Sequence, residues 1–273
     1  MFKVFVTSPY FYPDFLIKTD TEEIFKSFSS IYNSCFPLIE NKQVPKDTHI
    51  IKILKKNKNF EIFLENTSFA KNKTISTDSP FLYVSKYIQE NRKLYPNFFA
   101  LHAAAIHKEN ETWVLIGKTN TGKTTFVTSL IVNGFQYITD DCVIIDLCSK
   151  KIVPHYQPLK LRKGGIDILI KNRIVVPRLC HIHDSVFDRY IYHPQNAVNQ
   201  ALPITELFQL TRVEHGFSVD RLNYLDSFQC LIKSGLVCGS MSQEWILCAS
   251  SFAKKGVIEV KFSNFSELIE YFL

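Results

Sequence analysis

The stretch LIGKTNTGKTTFV, residues 115–127, decides how the rest of the chain is read. Its two glycines, Gly117 and Gly122, stand five positions apart, and Lys123-Thr124 follows the second directly. The apolar run Trp113-Val114-Leu115-Ile116 precedes it, and a helix-like run follows. Glycine is scarce here, 9 in 273 residues against 23 phenylalanines, so two in one short loop carry weight. A backbone this bare, ending in one cation and one hydroxyl, suits a ligand that is grasped by main chain.

Gly117, Gly122, Lys123 and Thr124 match G-x-x-x-x-G-K-[ST], the pattern of a phosphate-binding loop between a strand and a helix. The chemistry accounts for each position. A triphosphate needs many donors on a concave surface, and successive backbone N–H groups supply them when the chain curls. Gly permits that curl and leaves the phosphate unobstructed. The following helix points its positive end at the anion. Lys123 is placed to reach the β- and γ-phosphates, and the Thr124 hydroxyl to ligate Mg²⁺, which takes oxygen ligands. The whole loop, Gly117, Lys118, Thr119, Asn120, Thr121, Gly122, Lys123, Thr124 and Thr125, is therefore the expected nucleotide cradle. A plain turn leaves a lysine at a helix N-terminus unexplained, because a cation there opposes the dipole.

Beyond the loop, Thr124–Asn133 has apolar residues at 126, 127, 130 and 131, one face of a helix, and Gly134 fits the position just past its end. Then FQYITDDCVIID, residues 135–146, reads as strand around the pair Asp140-Asp141. The spacing suits a return to the strand beside the loop, with the acids at its end. Neighbours on a strand point opposite ways. The natural division has one acid near Mg²⁺ and the other accepting a proton from an attacking hydroxyl. His102 lies in the apolar segment FFALHAAAIH, residues 98–107, which reads as one strand, 15 residues before Gly117. A histidine in such a run is ordinarily a satisfied core residue.

Taken together, LHAAAIHKENETWVLIGKTNTGKTTFVTSLIVNGFQYITDD resembles the HPr kinase/phosphorylase family and its relatives. That family has a His at the start of a strand, a 15-residue step to the first loop Gly, the G-x-x-x-x-G-K-[ST] loop, and an Asp-Asp pair after the helix; all occur here in order. The resemblance is carried by residues 98–146, fades over 147–262 and is absent over 1–95. It implies an α/β fold: a mixed β-sheet P-loop kinase core of the HPr kinase/phosphoenolpyruvate carboxykinase type, here with a small N-terminal α+β region. It implies ATP and Mg²⁺ as cofactors, Lys123 and Thr124 in the phosphate and metal roles, and Asp140 or Asp141 as the acid/base with the other at the metal. Thr124 and Asp141 form the expected metal pair, and His102 the group that orients the base. It leaves a homo-oligomer open, because that family forms assemblies.

The departures bear on the substrate. A short signature with a glutamate and an arginine, found downstream of the acids in the bifunctional enzymes, has no clear copy here. The pyrophosphate-linked reverse reaction and HPr itself are thereby put in doubt. Diverged relatives with short N-terminal regions phosphorylate other hydroxyls, including serines of biosynthetic precursor peptides. The expected partner is a peptide or protein carrying an acceptor serine. A small-molecule hydroxyl is the alternative, and a non-catalytic nucleotide-sensing module a third reading, which would not need both acids. In HYQPLKLRKGG, residues 155–165, Lys160, Arg162 and Lys163 are candidates to face phosphate, as is Arg212; a solvated basic face is the plainer reading of each.

The remaining chain divides at about residue 95. The N-terminal region, 1–95, shows strand-like runs at Phe2–Val6, His49–Leu54 and Phe60–Leu64, the last two joined by the turn-like KKNKN. Asn66–Pro80 reads as loop, and a helix from Pro80 to Arg92 has Phe81, Val84 and Ile88 at helical spacing. The expected catalytic domain is 96–273. After Thr112–Ile116, further strands are read at Ile174–Val176, Leu207–Leu210, Gln229–Leu231 and Val257–Phe262, with a helix at Ser266–Phe272. In His181-Ile182-His183-Asp184 the two histidines share a strand face, but no third ligand appears at a familiar spacing. No G-x-S-x-G elbow supports hydrolase chemistry, and the acids before Cys142 disfavour its thiolate.

Bulk properties exclude several classes. The net charge is +6 and the pI about 8.8, less basic than a nucleic-acid binder typically is. The seven cysteines are odd in number and contain no C-x-x-C, so neither a disulfide framework nor a zinc ribbon is expected, and a reducing cytoplasm suits them. No run approaches 18 apolar residues, and the N-terminus lacks a signal-peptide core, so no membrane association is expected.

Overall fold

In a computed structural model the described residues are 1–6, 10–12, 14–32, 48–57, 59–65, 73–77, 79–91, 93–174, 180–183, 188–236 and 242–273. They form two compact units, Met1–Tyr95 with Leu179–Ile191, and Pro96–Arg178 with Tyr192–Leu273. Among the described residues no helix is long and apolar enough to cross a membrane.

The first unit begins with β1 (Phe2–Val6), β2 (Phe11–Tyr12), β3 (Phe15–Thr19) and α1 (Glu22–Tyr32), and continues with β4 (His49–Lys56), β5 (Asn59–Glu65), β6 (Lys73–Thr77), α2 (Pro80–Asn91) and β7 (Lys93–Leu94). Its sheet has the order β1-β3-β4-β5-β6, with β3 and β4 parallel and the other pairs antiparallel. The parallel pair needs a crossover, and α1 lies within it. Val4, Val6, Phe15, Ile17, Ile51, Ile53 and Ile62 alternate into one face, where Phe28 of α1 and Phe81, Val84 and Ile88 of α2 cover them. The expected hairpin at 49–64 is present, with Asn57 taking the left-handed turn position at φ 55°. The expected loop over 66–80 is corrected in part: Lys73–Thr77 pairs with β5, because Thr74, Ile75 and Thr77 favour extended backbone. Residues 66–72 and 78 lie outside the described set.

The second unit begins with β8 (Phe98–Leu101), β9 (Ala103–Lys108), β10 (Glu111–Ile116), α3 (Lys123–Val132), β11 (Gln136–Thr139), β12 (Val143–Asp146), β13 (Lys151–Val153), β14 (Leu159–Leu161) and α4 (Lys163–Lys171). The hairpin strands β15 (Cys180–His183) and β16 (Asp188–Tyr192) follow in the chain, with β15 and most of β16 in the first unit. Last come β17 (Leu202–Pro203), β18 (Glu206–Arg212), β19 (Phe217–Arg221), α5 (Tyr224–Ser234), α6 (Gln243–Ala253), β20 (Ile258–Phe262) and α7 (Phe265–Phe272). A mixed sheet has the order β11-β9-β10-β18-β20-β19, with β10, β18 and β20 mutually parallel. An antiparallel sheet has the order β17-β13-β12-β8.

Central strand β10 is covered on both sides, as a parallel strand should be. Val114 and Ile116 join the core shared with Phe99, Leu101, Val143 and Ile145 of the second sheet and Trp245 and Phe252 of α6. Trp113 faces the other way, into an aromatic cluster with Phe135, Phe208 and Phe272, the last also meeting Phe126 of α3.

The α/β class with mixed sheets expected from the sequence is observed. Several details differ. The single strand expected over 98–107 is two strands, broken at His102 and belonging to different sheets. The strand returning after α3 is next to β9, so β9 separates it from β10. Gln229–Leu231, expected as strand, lies inside α5, where Ser227, Cys230 and Leu231 form a buried stripe at helical spacing and Asn223 caps the amide of Asp226. Ile174 is not in a strand, and Val175 and Val176 lie outside the described residues.

Candidate functional site

Strand β10 ends where it runs close beside β18: a Cβ on Gly117 would stand 3.1 Å from the Leu210 carbonyl oxygen. The chain then curls. The Thr121 amide and hydroxyl both donate to the Lys118 carbonyl, at 3.2 and 2.6 Å. Asn120 has φ 69° and Gly122 φ 98°, both left-handed. At Gly122 an added Cβ would fall 2.3 Å from Cζ of Phe265, so both conformation and space call for glycine. Helix α3 starts at once, with Phe126 N–H donating to the Gly122 carbonyl. No side chain caps its first turn and no acid lies in it, leaving the amides of a helix start facing outward as an anion site requires.

Lys123, the first helical residue, is only 6% exposed. Its ammonium donates to the carbonyls of Gly117 at 2.6 Å and Lys118 at 3.3 Å, and lies 3.4 Å from His102 Nε2. Burial lowers its pKa, and the negative charges of Asp140 and Asp141 oppose that shift. Thr124 donates its hydroxyl to Asp140 Oδ2 at 2.7 Å.

The two acids occupy a turn between β11 and β12, pinned by the Thr139 hydroxyl donating to the Cys142 carbonyl at 3.0 Å. Asp141 is left-handed at φ 67°. This turn, more than strand alternation, sends the carboxylates apart. Asp140 is 3% exposed, and its Oδ1 has no hydrogen-bond partner. Burial first, and then repulsion by Asp141, push its carboxyl up to about 6, against the hydrogen bond from Thr124 and the charge of Lys160. The Asp141 carboxylate is 43% exposed and lies 3.5 Å from Lys160 Nζ on β14.

His102 is fixed at the sheet-to-sheet break by its amide, which donates to the Ser234 carbonyl at 2.7 Å. Its Nδ1 is 3.1 Å from the Asp141 carbonyl oxygen. A carbonyl only accepts, so Nδ1 carries the proton and Nε2 is left to accept from Lys123. His102 therefore bridges the loop lysine and the acid turn. Its grip on Asp141 is through main chain, where the sequence led to an expectation of direct orientation of a carboxylate.

The fold thus brings His102, the loop 117–125, Asp140 and Asp141 into one place, joined by Lys160. Thr124 meets Asp140, whereas the expected metal pair was Thr124 with Asp141. Arg162 and Lys163 start α4, and the Arg212 guanidinium sits over the Phe265 ring at 5.5 Å. Phe265, which closes the space beside Gly122, was not read from the sequence; a lone aromatic 143 residues from that glycine gives no local signal. Among the described residues Cys142, Cys148, Cys230 and Cys248 are free thiols. Burial pushes Cys230 and Cys248 up to about 11, which leaves them unreactive.

No protein-family model matches the chain, and no curated protein matches it. Among solved structures, the HPr(Ser) kinase/phosphatase from Coxiella burnetii aligns at 12% identity over 63% of this chain and 90% of that one, with a TM-score of 0.30. A superposition that loose decides nothing about this chain, so its function must be argued from the geometry of the loop and the acids.

Proposed function

We propose that this chain is an ATP- and Mg²⁺-dependent kinase that transfers the γ-phosphoryl group to a hydroxyl, the acceptor being a serine of a peptide or protein. The observation that carries the reading is Asp140: Thr124 holds one carboxylate oxygen, while the other is buried without a partner beside the loop. A buried unsatisfied carboxylate oxygen is costly, and a divalent ion would satisfy it.

The residues present fit Mg²⁺. Thr124 Oγ1 and Asp140 are hard oxygen donors of the kind it takes. When bound, that ion would neutralise charge on the triphosphate. This assigns the metal to Thr124 and Asp140, and leaves the more exposed Asp141 to accept the proton. In the proposed transfer the acceptor O–H gives its proton to Asp141, an O–Pγ bond forms, and the bond from Pγ to the bridging oxygen breaks, its electron pair leaving with ADP. Lys123 and the first-turn amides of α3 hold phosphate charge throughout. His102 keeps the lysine and the acid turn in fixed relation. Lys160 Nζ lies 3.5 Å from the Asp141 carboxylate, which places a fixed positive charge beside the group that takes the proton.

The test is to incubate the purified chain with γ-labelled ATP, Mg²⁺ and a cell extract and to locate the label by mass spectrometry, with Lys123→Ala as the binding-deficient control. Label on a peptide or protein serine, absent with the control, supports the reading. Label on a small metabolite replaces the acceptor class. ATP bound by the wild type without transfer to any acceptor identifies a nucleotide-sensing module, and unchanged ATP affinity in Lys123→Ala rejects the loop assignment.

A further inference from the structure

In the first unit, β15 and β16 pair antiparallel in the register His181↔Tyr190, Ile182↔Arg189 and His183↔Asp188. Residues opposite each other share a sheet face, and alternate residues along a strand do too. Ile182 and Ile191 are buried in the unit's core, so His181, His183, Asp188 and Tyr190 stand together on the other face. There the Asp188 carboxylate is the shared centre: its Oδ1 lies 2.6 Å from His181 Nε2 and 3.6 Å from His183 Nδ1. One ligand atom from each of the three residues falls within 4.8 Å of the other two.

We propose that His181, His183 and Asp188 bind a divalent transition-metal ion of the zinc class. Two imidazoles and a carboxylate are the donors such an ion takes, whereas Mg²⁺ prefers oxygen alone. Bonds of ~2.0–2.1 Å in a tetrahedron separate ligand atoms by roughly 3.3–3.4 Å. The observed separations bracket that value, so closing the site needs movements of about an ångström in exposed side chains. One feature prepares it: the His181 ring is stacked on Tyr190, with centroids 4.2 Å apart and planes 7° from parallel, which holds its edge toward Asp188. Three protein ligands leave a position open. A cavity of about 440 Å³ lined by His181, Ile182 and His183, together with Glu23, Lys55 and Phe60, adjoins the two histidines. The site is independent of the phosphoryl-transfer reading. From the sequence, Asp184 was the nearest acid, and it lies outside the described residues; the third ligand comes from across the hairpin.

The test strips the full chain of metal with a chelator, then titrates Zn²⁺ against a chromophoric indicator, comparing wild type with His181→Ala/His183→Ala. The wild type is expected to take up one more ion per chain than the double variant, and Asp188→Asn to weaken that ion's binding by at least about tenfold. Equal uptake by wild type and the folded double variant overturns the proposal. Should the double variant fail to fold, ring nitrogen signals of His181 and His183 are followed by NMR in the wild-type chain. Both must shift on adding one equivalent of Zn²⁺, and unmoved signals overturn the site.

Discussion

Replacing Gly122 by alanine tests the loop geometry with numbers that follow from the structure. Two costs add. The residue has φ 98°, where a non-glycine residue costs roughly 1–2 kcal/mol. The new methyl would lie 2.3 Å from Cζ of Phe265, with Cε2 and Cε1 at 3.2 and 3.3 Å. Ordinary carbon contacts are about 3.5–4.0 Å, so the ring must retreat by more than about an ångström. It is held at the start of α7 against Phe262, with ring centroids 5.3 Å apart, and under the Arg212 guanidinium at 5.5 Å. Forced repacking of that kind costs about 1–3 kcal/mol, so Gly122→Ala should destabilise by roughly 2–5 kcal/mol in all. Both tryptophans, Trp113 and Trp245, lie in the second unit, so denaturant unfolding followed by their fluorescence reads the right part of the chain. Phe265→Ala in the same background removes the clash but leaves the backbone strain. The double-mutant cycle should therefore show a favourable coupling of about 1–3 kcal/mol. A Gly122→Ala chain as stable as wild type, or a cycle with no coupling, refutes the assigned geometry.

Other substitutions probe the acids. The folded pKa of Asp140, about 6, exceeds its ordinary value of 3.8, so the folded chain holds that proton more tightly than the unfolded chain does. Its contribution is present below pH ~4 and lost as pH rises toward 6. Without Mg²⁺, Asp140→Asn should therefore gain stability relative to wild type across that window, by about 2–3 kcal/mol; a difference in melting temperature that stays flat with pH rejects this. Asp141→Asn should slow phosphoryl transfer by roughly 10²–10⁴ for loss of a general base while ATP still binds, and full turnover in a rapid-quench assay would remove Asp141 from the chemistry. His102→Ala should depress the rate more than nucleotide affinity, because it disturbs the acid turn through main chain; equal losses in both mark a folding role.

What the sequence made readable was local. Gly117, Gly122, Lys123 and Thr124 act within one loop, so their spacing alone identifies it, and Asp140-Asp141 follow after a single helix. The break at His102 is hidden because residues on both sides are apolar and no Gly or Pro marks the change of sheet. In α5, the short apolar pair Cys230-Leu231 reads equally as strand; the helix signal lies in Asn223 as cap and in the 227, 230, 231 spacing. Which acid faces Thr124 depends on a left-handed turn at Asp141 that a non-glycine residue does not announce. Asp188 and Phe265 reach their partners only through hairpin register and tertiary packing, which residue order does not encode locally.

The segment 98–108 is the common seam of this arrangement. Its first half is laced to β12, which leaves the acids, and its second half to β10, which enters the loop, and to β11, which delivers the acids. One ribbon of backbone thus tethers both halves of the site, with His102 as the stitch between them. On the proposed reading, grip on a phosphate and readiness to take a proton therefore share one support, and a backbone change that slackens this ribbon loosens both at once.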